Sequence, residues 1–264
     1  MQLYISGVHE CTERPPLDVR TMHGHNTYEI FYLISGDADF RVEGNLSHLQ
    51  PGDVMLMRKG EVHIYRLRSS APYERMHVNF DLPKNFGDIS TDRLLSVFND
   101  RPLGAYNHYQ SHLFPNNRWF DYMSKICHTK DPQKQLCYLL PFLSDLQEAF
   151  ETVKSLPIAE ENDHAIPIIS FINANPAQDL SLEMLAKRFY LSKTHLNRIF
   201  KQSTGTTVWE YITIKRLFLA KELIAAGRQP TDVCTQCGFK DYTTFFRSYK
   251  RHFGISPRAQ THIV

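Results

Sequence analysis

Two segments near the end of the chain, LNRIFKQSTGTT (196–207) and FFRSYKRHFGIS (245–256), align at an offset of 49 residues. Arg198 meets Arg247, Phe200 meets Tyr249, Lys201 meets Lys250 and Gly205 meets Gly254. Such a repeat means that one supersecondary unit is used twice. Each copy follows a short helical pattern and a tight turn. In the first, Ser181 is placed to cap LEMLAKRF, small Ala186 permits close helix packing, YLS makes the turn, and Ser192 caps the second helix. In the second, Thr231 is expected to cap DVCTQC, Gly238 to make the turn, and Asp241 to cap the next helix. Each copy therefore reads as a helix-turn-helix. The stretch TVWEYITIKRLFLAKELIAAG (207–227) is long enough to be one helix joining them.

The faces of the two second helices differ in chemistry. Leu196, Ile199 and Phe200 fall at i, i+3, i+4 and should be buried, which turns Thr194, Asn197, Arg198 and Lys201 outward. In the second copy Phe245, Ser248 and Tyr249 should face in, and Thr243, Phe246, Arg247 and Lys250 out. With Ser192 and Lys193 at the head of the first helix and Tyr242 at the head of the second, these are the expected DNA-contacting residues. Arg can reach O6 and N7 of guanine, Asn can pair with adenine, Thr or Phe can touch a thymine methyl, and Lys neutralises phosphate. Charge agrees. Residues 166–264 hold 14 Lys and Arg against 6 Asp and Glu, a net +8, whereas residues 1–165 hold 16 against 22, a net −6. A basic third on an acidic remainder is the footprint of a nucleic-acid-binding module joined to something else.

That remainder reads in two parts. Residues 18–80 look like β-structure: EIFYLISG, DFRVEG, PGDVMLM, VHIYRL and YERMHVNF are short β-branched or alternating runs separated by Gly-containing turns, which suggests a sandwich or barrel. Residues 91–155 show helical spacing. Leu136, Leu140, Leu143, Leu146 and Phe150 form a stripe that serves either a second subunit or the β-domain, and Pro141 should kink this helix or start it. The expected organisation is α+β: a β-domain over 1–85, helices over 86–156, a linker over 157–165 where SLPIAEENDH is polar and acidic, and an all-helical domain over 166–264. No run approaches the ~20 apolar residues that span a bilayer, no signal peptide is legible, and an odd set of 5 cysteines fits reduced thiols in the cytoplasm. Cys234 and Cys237 form a lone CxxC inside a helix and read as buried apolar thiols.

HGHNTYE (23–29) raises a different chemistry. If its strand is unbroken, His23, His25 and Glu29 share one face with Phe31 and Leu33, and His63 on a later strand can come opposite. Three imidazoles and a carboxylate suit Zn, Fe, Mn or Ni. The same residues, with Tyr32, Arg41 and His77, can equally line a pocket for a small molecule. No cofactor is required, a divalent metal in this pocket is the one cofactor the residues could hold, and nothing else in the sequence supplies a reaction.

The segment KRLFLAKELIAAGRQPTDVCTQCGFKDYTTFFRSYKRHFGISPRAQ (215–260) resembles the signature of AraC/XylS-type transcriptional regulators, and residues 181–205 resemble the first helix-turn-helix of that family. Residues 18–80 resemble its cupin-like sensing domain. The resemblance implies a cupin-like barrel that binds an effector such as a sugar, following helices that form a homodimer, two helix-turn-helix motifs in successive stretches of major groove of double-stranded DNA, and a contact with RNA polymerase. Departures from the pattern are Phe246 at an exposed position that is usually small or polar, and Ser248 at a usually apolar one. His23 to Gly36 fits the first cupin metal motif apart from a missing leading glycine; in the second, Gly52, Gly60 and His63 fit, but Arg58 and Leu67 stand where proline and asparagine are usual. Two alternatives stay open: a metal-dependent cupin enzyme with a DNA-binding tail, and a constitutive regulator whose barrel only dimerises.

Overall fold

The computed structural model describes residues 3–15, 22–115, 118–157 and 164–260. Its contacts divide the chain into two compact units, Met1–Glu161 and Asn162–Val264. Residues 158–163 of the expected linker, and residues 18–21 of the expected β-region, lie outside the described residues.

The first unit is built on two antiparallel sheets. Strands β1 (Tyr4–Thr12), β2 (Tyr28–Ser35), β3 (Ala38–Val42), β4 (Asn45–Leu49), β5 (Val54–Met57), β6 (His63–Leu67) and β7 (Tyr73–Asp81) precede a small β8–β9 hairpin (Asn85–Phe86, Ile89–Ser90) and a short β10 (His108–Tyr109). One sheet has the order β1-β7-β2-β5-β10 and the other β4-β3-β6. β2 explains the arrangement. Apart from Glu29 and the terminal Ser35, its residues are apolar on both faces because both faces are covered. Phe31 and Leu33 meet Phe40, Val42, Met55, Met57, Tyr65 and Tyr73 between the sheets. Tyr28, Ile30 and Tyr32 point the other way, into a layer shared with Val78, Phe80 and the helices. Each such buried large side chain contributes roughly 1.5–3 kcal/mol relative to exposure.

That helical layer comprises α1 (Asp92–Asn99), α2 (Trp119–His128) and α3 (Pro132–Ser155). Asp131 caps α3 by accepting from the backbone of Gln133 and Lys134, Pro132 starts it, and the helix runs on through Pro141. Leu143, Leu146 and Phe150 are buried in this layer, with Leu136 and Leu140 packed against it, so internal packing accounts for the stripe. β1 was not legible in sequence: it pairs with β7 along its whole length, and a Cβ on its Gly7 would lie 2.9 Å from the Cα of Cys127 in α2.

In the second unit, α4 (Ile166–Ala174) precedes the two repeats, α5 (Leu182–Arg188) with α6 (Lys193–Thr204) and α8 (Pro230–Gln236) with α9 (Tyr242–Phe253), joined by α7 (Val208–Ala225) and followed by α10 (Pro257–Gln260). Ser181, Ser192 and Asp241 cap their helices as expected. Thr231 does not. α8 begins two residues earlier, with Gln229 outside and Pro230 as its first residue, where a fixed φ and a missing N–H cost nothing. Thr207 and Glu210 form a capping box at the head of α7. Leu217, Ala220, Ile224, Val233, Cys234, Cys237, Phe245 and Tyr249 share one core, which confirms both thiols as buried; burial pushes the Cys237 thiol up to about 12. Among the described residues no helix is long and apolar enough to cross a membrane.

Candidate functional sites: a histidine cluster and two exposed helix faces

HGHNTYE is not one strand. β2 begins only at Tyr28, and His23 joins the sheet through an isolated antiparallel bridge to His63. His23 N–H donates to His63 O at 3.1 Å and His63 N–H to His23 O at 2.8 Å, while Gly60 N–H donates to His25 O at 2.8 Å. Backbone clips, and not strand alternation, therefore bring the three imidazoles together. Their ring centroids lie 4.5–5.3 Å apart, and one ligand nitrogen from each falls within 4.8 Å of the others. His63 is buried and stacks on Phe40 at 5.7 Å, whereas the His25 side chain is 34% exposed.

Glu29 borders this cluster from the start of β2. Its Oε2 lies 2.9 Å from His25 Nε2 and 3.4 Å from His63 Nε2. Glu29 Oε2 and His63 Nε2 are both buried. Burial alone would raise the Glu29 carboxyl, but His25 and His63 outweigh it and hold it well below the usual carboxylate range. His77 lies opposite Phe31 in the register, on the inner face beside the cluster, and burial lowers its pKa.

Two expected pocket residues lie elsewhere. Tyr32 is on the opposite face of β2 from Glu29, with its ring 6.1 Å from that of Phe120 in α2. Arg41 alternates with inward Phe40 and Val42, so it faces outward and donates to Gly44 O at 2.9 Å. Period-two alternation separates both from the histidines.

What holds the cluster was missed in the sequence. Arg101 donates to Glu61 through Nη1–Oε1 at 2.8 Å and Nη2–Oε2 at 2.7 Å, with both side chains fully buried. Glu61 also accepts from the backbone of Gly104 and Arg58 and from Asn107 Nδ2. Burial would raise its pKa, but the Arg101 charge and these donors keep it low. The carbonyl of the same Glu61 accepts from His63 Nδ1 at 3.1 Å, so the ion pair fixes the turn that aims His63.

In the second unit, Leu196, Ile199 and Phe200 are buried on α6, and Ser192, Lys193, Thr194, Arg198 and Lys201 are exposed, with Asn197 half-buried. On α9, Phe245 and Tyr249 are buried and Thr243, Arg247 and Lys250 are exposed. Ser248 and Phe246 are half-buried, and the Phe246 ring lies 6.3 Å from Tyr242. Tyr242 differs from the expectation: it packs against the core with its hydroxyl buried, so it presents no hydroxyl to the open face. Two neighbours were not anticipated. Gln202 Oε1 and His195 Nδ1 each accept from Arg198, at 3.2 Å, and steady its guanidinium.

Residues 7–92 match the family described as AraC-like ligand binding domain, and residues 185–261 match the family described as helix-turn-helix domain. The lactose operon transcription activator of Staphylococcus xylosus is 24% identical over 87% of this chain and 82% of its own. The HTH-type transcriptional activator RhaS of Yersinia pestis is 24% identical over 93% of this chain and 90% of its own. Among solved structures, ToxT from Vibrio cholerae aligns over 98% of both chains at 13% identity and a TM-score of 0.42.

Proposed function

The chain belongs to the AraC/XylS family of transcriptional regulators, and on that footing we propose that it activates transcription by binding specific duplex DNA through α6 and α9 in response to a small molecule held at the His23–His63 end of the first unit. One observation carries the DNA reading. Thr194, Arg198 and Lys201 on one helix and Thr243, Arg247 and Lys250 on another recur at the same spacing, each opposite a buried aromatic residue. A helix in the major groove needs such a polar, cationic face.

Arg198→Ala removes an exposed guanidinium without touching the core. It should cost about 1–3 kcal/mol at one base pair and relax specificity there. Lys250→Ala, by contrast, should weaken all sequences alike and reduce the slope of log K against log salt by about 1. Fluorescence titrations of labelled duplexes across a salt series separate the two roles. A specificity change in Lys250→Ala with an unchanged salt slope would reverse the assignment.

The sensing site in this proposal is His23, His25, Glu29, His63 and His77. A sugar or related metabolite is supported by the lactose operon activator aligned along most of the chain. Calorimetric titration with sugars and sugar acids tests it, and His25→Ala, at a partly exposed position, should abolish the heat of binding. Homodimerisation, a contact with RNA polymerase and a cytoplasmic setting complete the reading. It assigns the chain no enzymatic reaction, in keeping with relatives that are regulators along most of its length.

A further inference from the structure

We infer that the first unit holds a second small-molecule site, in the cleft between the edge strands β4 and β10, for an uncharged ligand that carries O–H donors. The inference goes beyond the sensing site proposed above, since none of His23, His25, Glu29, His63 and His77 lines this cleft.

Sheet topology makes the cleft. β4 is the edge of one sheet and β10 the edge of the other, and no ladder joins them. Asn45 and Ser47 pair across β3–β4 with inward Val42 and Phe40, so both face the space between the sheets. His108 pairs with inward Met55 and faces the same way. Val153 and Leu156, at the end of α3, border the same space. The cavity measures about 290 Å³, at the lower edge of the roughly 300–1,000 Å³ of small-molecule sites.

Asn107 is the residue that points to a ligand. It lines the cleft and is only 4% exposed. Its Nδ2 donates to Leu56 O at 2.6 Å and to Glu61 Oε2 at 3.1 Å. A carbonyl and a carboxylate only accept, which fixes the amide nitrogen at that end. Oδ1 is left buried, and among the described residues it accepts no hydrogen bond. An unsatisfied buried acceptor costs free energy that a donor from a ligand recovers. Tyr106, the preceding residue, also lines the cleft and sits at φ +56°. That conformation is uncommon for a bulky side chain, and such strain concentrates at binding sites.

The lining sets the class of ligand. It contains no lysine, arginine, aspartate or glutamate. His108 and His48 are each bonded to a carboxylate outside the lining, Asp53 and Asp39, at 2.7 Å. A charged ligand would lose its hydration with no opposite charge in the lining to meet it. Asn45, Ser47 and Gln110 add donors and acceptors beside apolar Val42, Met55 and Leu156. Hydroxyl groups on an uncharged ring match this mixture, and two sources supply them: free sugars and nucleosides.

The test uses the full chain with its methionine methyl groups labelled for NMR. Met55 reports the cleft, and Met57, paired with Glu29, reports the histidine end. Galactose and rhamnose form one arm, adenosine and cytidine the other. At least one arm should shift the Met55 signal saturably and ahead of Met57, and the arm that does so names the source. The phosphorylated form of the bound compound should bind at least about tenfold more weakly. Ser47→Phe fills the cleft from an edge strand and should weaken binding by at least about tenfold. Leu156→Trp, at a half-buried position, is a second filling variant, and an unchanged thermal midpoint verifies either fold. Asn107→Ala also strips a donor from Glu61 and so does not decide the question. His25→Ala should leave binding unchanged. A Met55 signal unmoved by both arms, or equal affinity in a folded filling variant, overturns the inference and leaves water as the partner of Asn107. Equal affinity for the phosphorylated form overturns the ligand class. Loss of the Met55 shift in His25→Ala assigns the bound molecule to the histidine end, so the two sites can fail separately.

Discussion

Glu61→Ala is expected to destabilise the first unit by about 3–5 kcal/mol, because it leaves the Arg101 guanidinium buried without its counter-charge. The guanidinium keeps its bonds to the carbonyls of Val97, Ala105 and Leu56, so the loss is one of charge compensation and not of every contact. The backbone N–H groups of Gly104 and Arg58 lose their acceptor too. Denaturant unfolding followed by tyrosine fluorescence measures the cost, and a loss under about 1 kcal/mol would show that the pair is not the anchor described. Replacing both partners, as Glu61→Leu with Arg101→Met, should recover much of the stability, since apolar pairs of similar volume commonly replace buried ion pairs at little cost. The His63 ring would still donate from Nδ1 to the carbonyl of residue 61, but on a turn no longer fixed by the side chain. Effector binding at the proposed sensing site should therefore weaken in the single variant even where it remains folded.

The same pair sets an acid limit. The folded-state pKa of Glu61 is depressed below that of the unfolded chain. Its contribution is therefore fully present above the unfolded value and is lost as pH falls through the folded one. Stability from this group should hold at neutral pH and fall in the acid range, below about pH 4. Glu61→Ala should flatten that part of the stability–pH curve.

Arg216→Met should cost the second unit about 3–6 kcal/mol, on the scale of losing two hydrogen bonds from a charged donor. Arg216 is buried in α7, where it donates from Nε to Pro176 O at 2.8 Å and from Nη2 to Gln178 O at 2.7 Å. It also lies under the turn of the second repeat. A Cβ added to Gly238, at φ +80°, would come within 2.8 Å of Ala177 O and 3.1 Å of the Arg216 guanidinium carbon. One side chain of the connecting helix thus holds the loop before α5 and packs beneath the turn between α8 and α9. Methionine keeps the length and loses the donors. Its effect should appear as a lower unfolding midpoint and weaker binding to every DNA sequence, with the preferred sequence unchanged. A variant that changes sequence preference at full stability would assign Arg216 to base reading instead.

The parts of this architecture that were readable in the sequence are local ones. Ser181, Ser192 and Asp241 act within three residues of themselves, and the buried stripes on α6 and α9 follow from helical period alone. The parts that were not readable depend on distant partners. β1 is defined by pairing with a strand some 65 residues away, as its Arg75–Glu10 contact shows. Glu61 finds Arg101 and Asn107 across 40 and 46 residues. Tyr32 and Arg41 are near the histidines in sequence but on the wrong face, because β2 is covered on both sides and β3 alternates. HGHNTYE pointed to residues that do come together, but for an incomplete reason: its histidines meet His63 through a backbone bridge, and only Glu29 is presented by the strand.

The central claim, that α6 and α9 read DNA as a pair, is tested most directly by selecting the full chain against random duplex DNA and repeating the selection with Arg198→Ala. The account predicts a consensus of two short elements about one helical turn, roughly 10 base pairs, apart. In the variant, preference should vanish at one position of one element and persist in the other. No enriched sequence, or an identical consensus from both proteins, would contradict it.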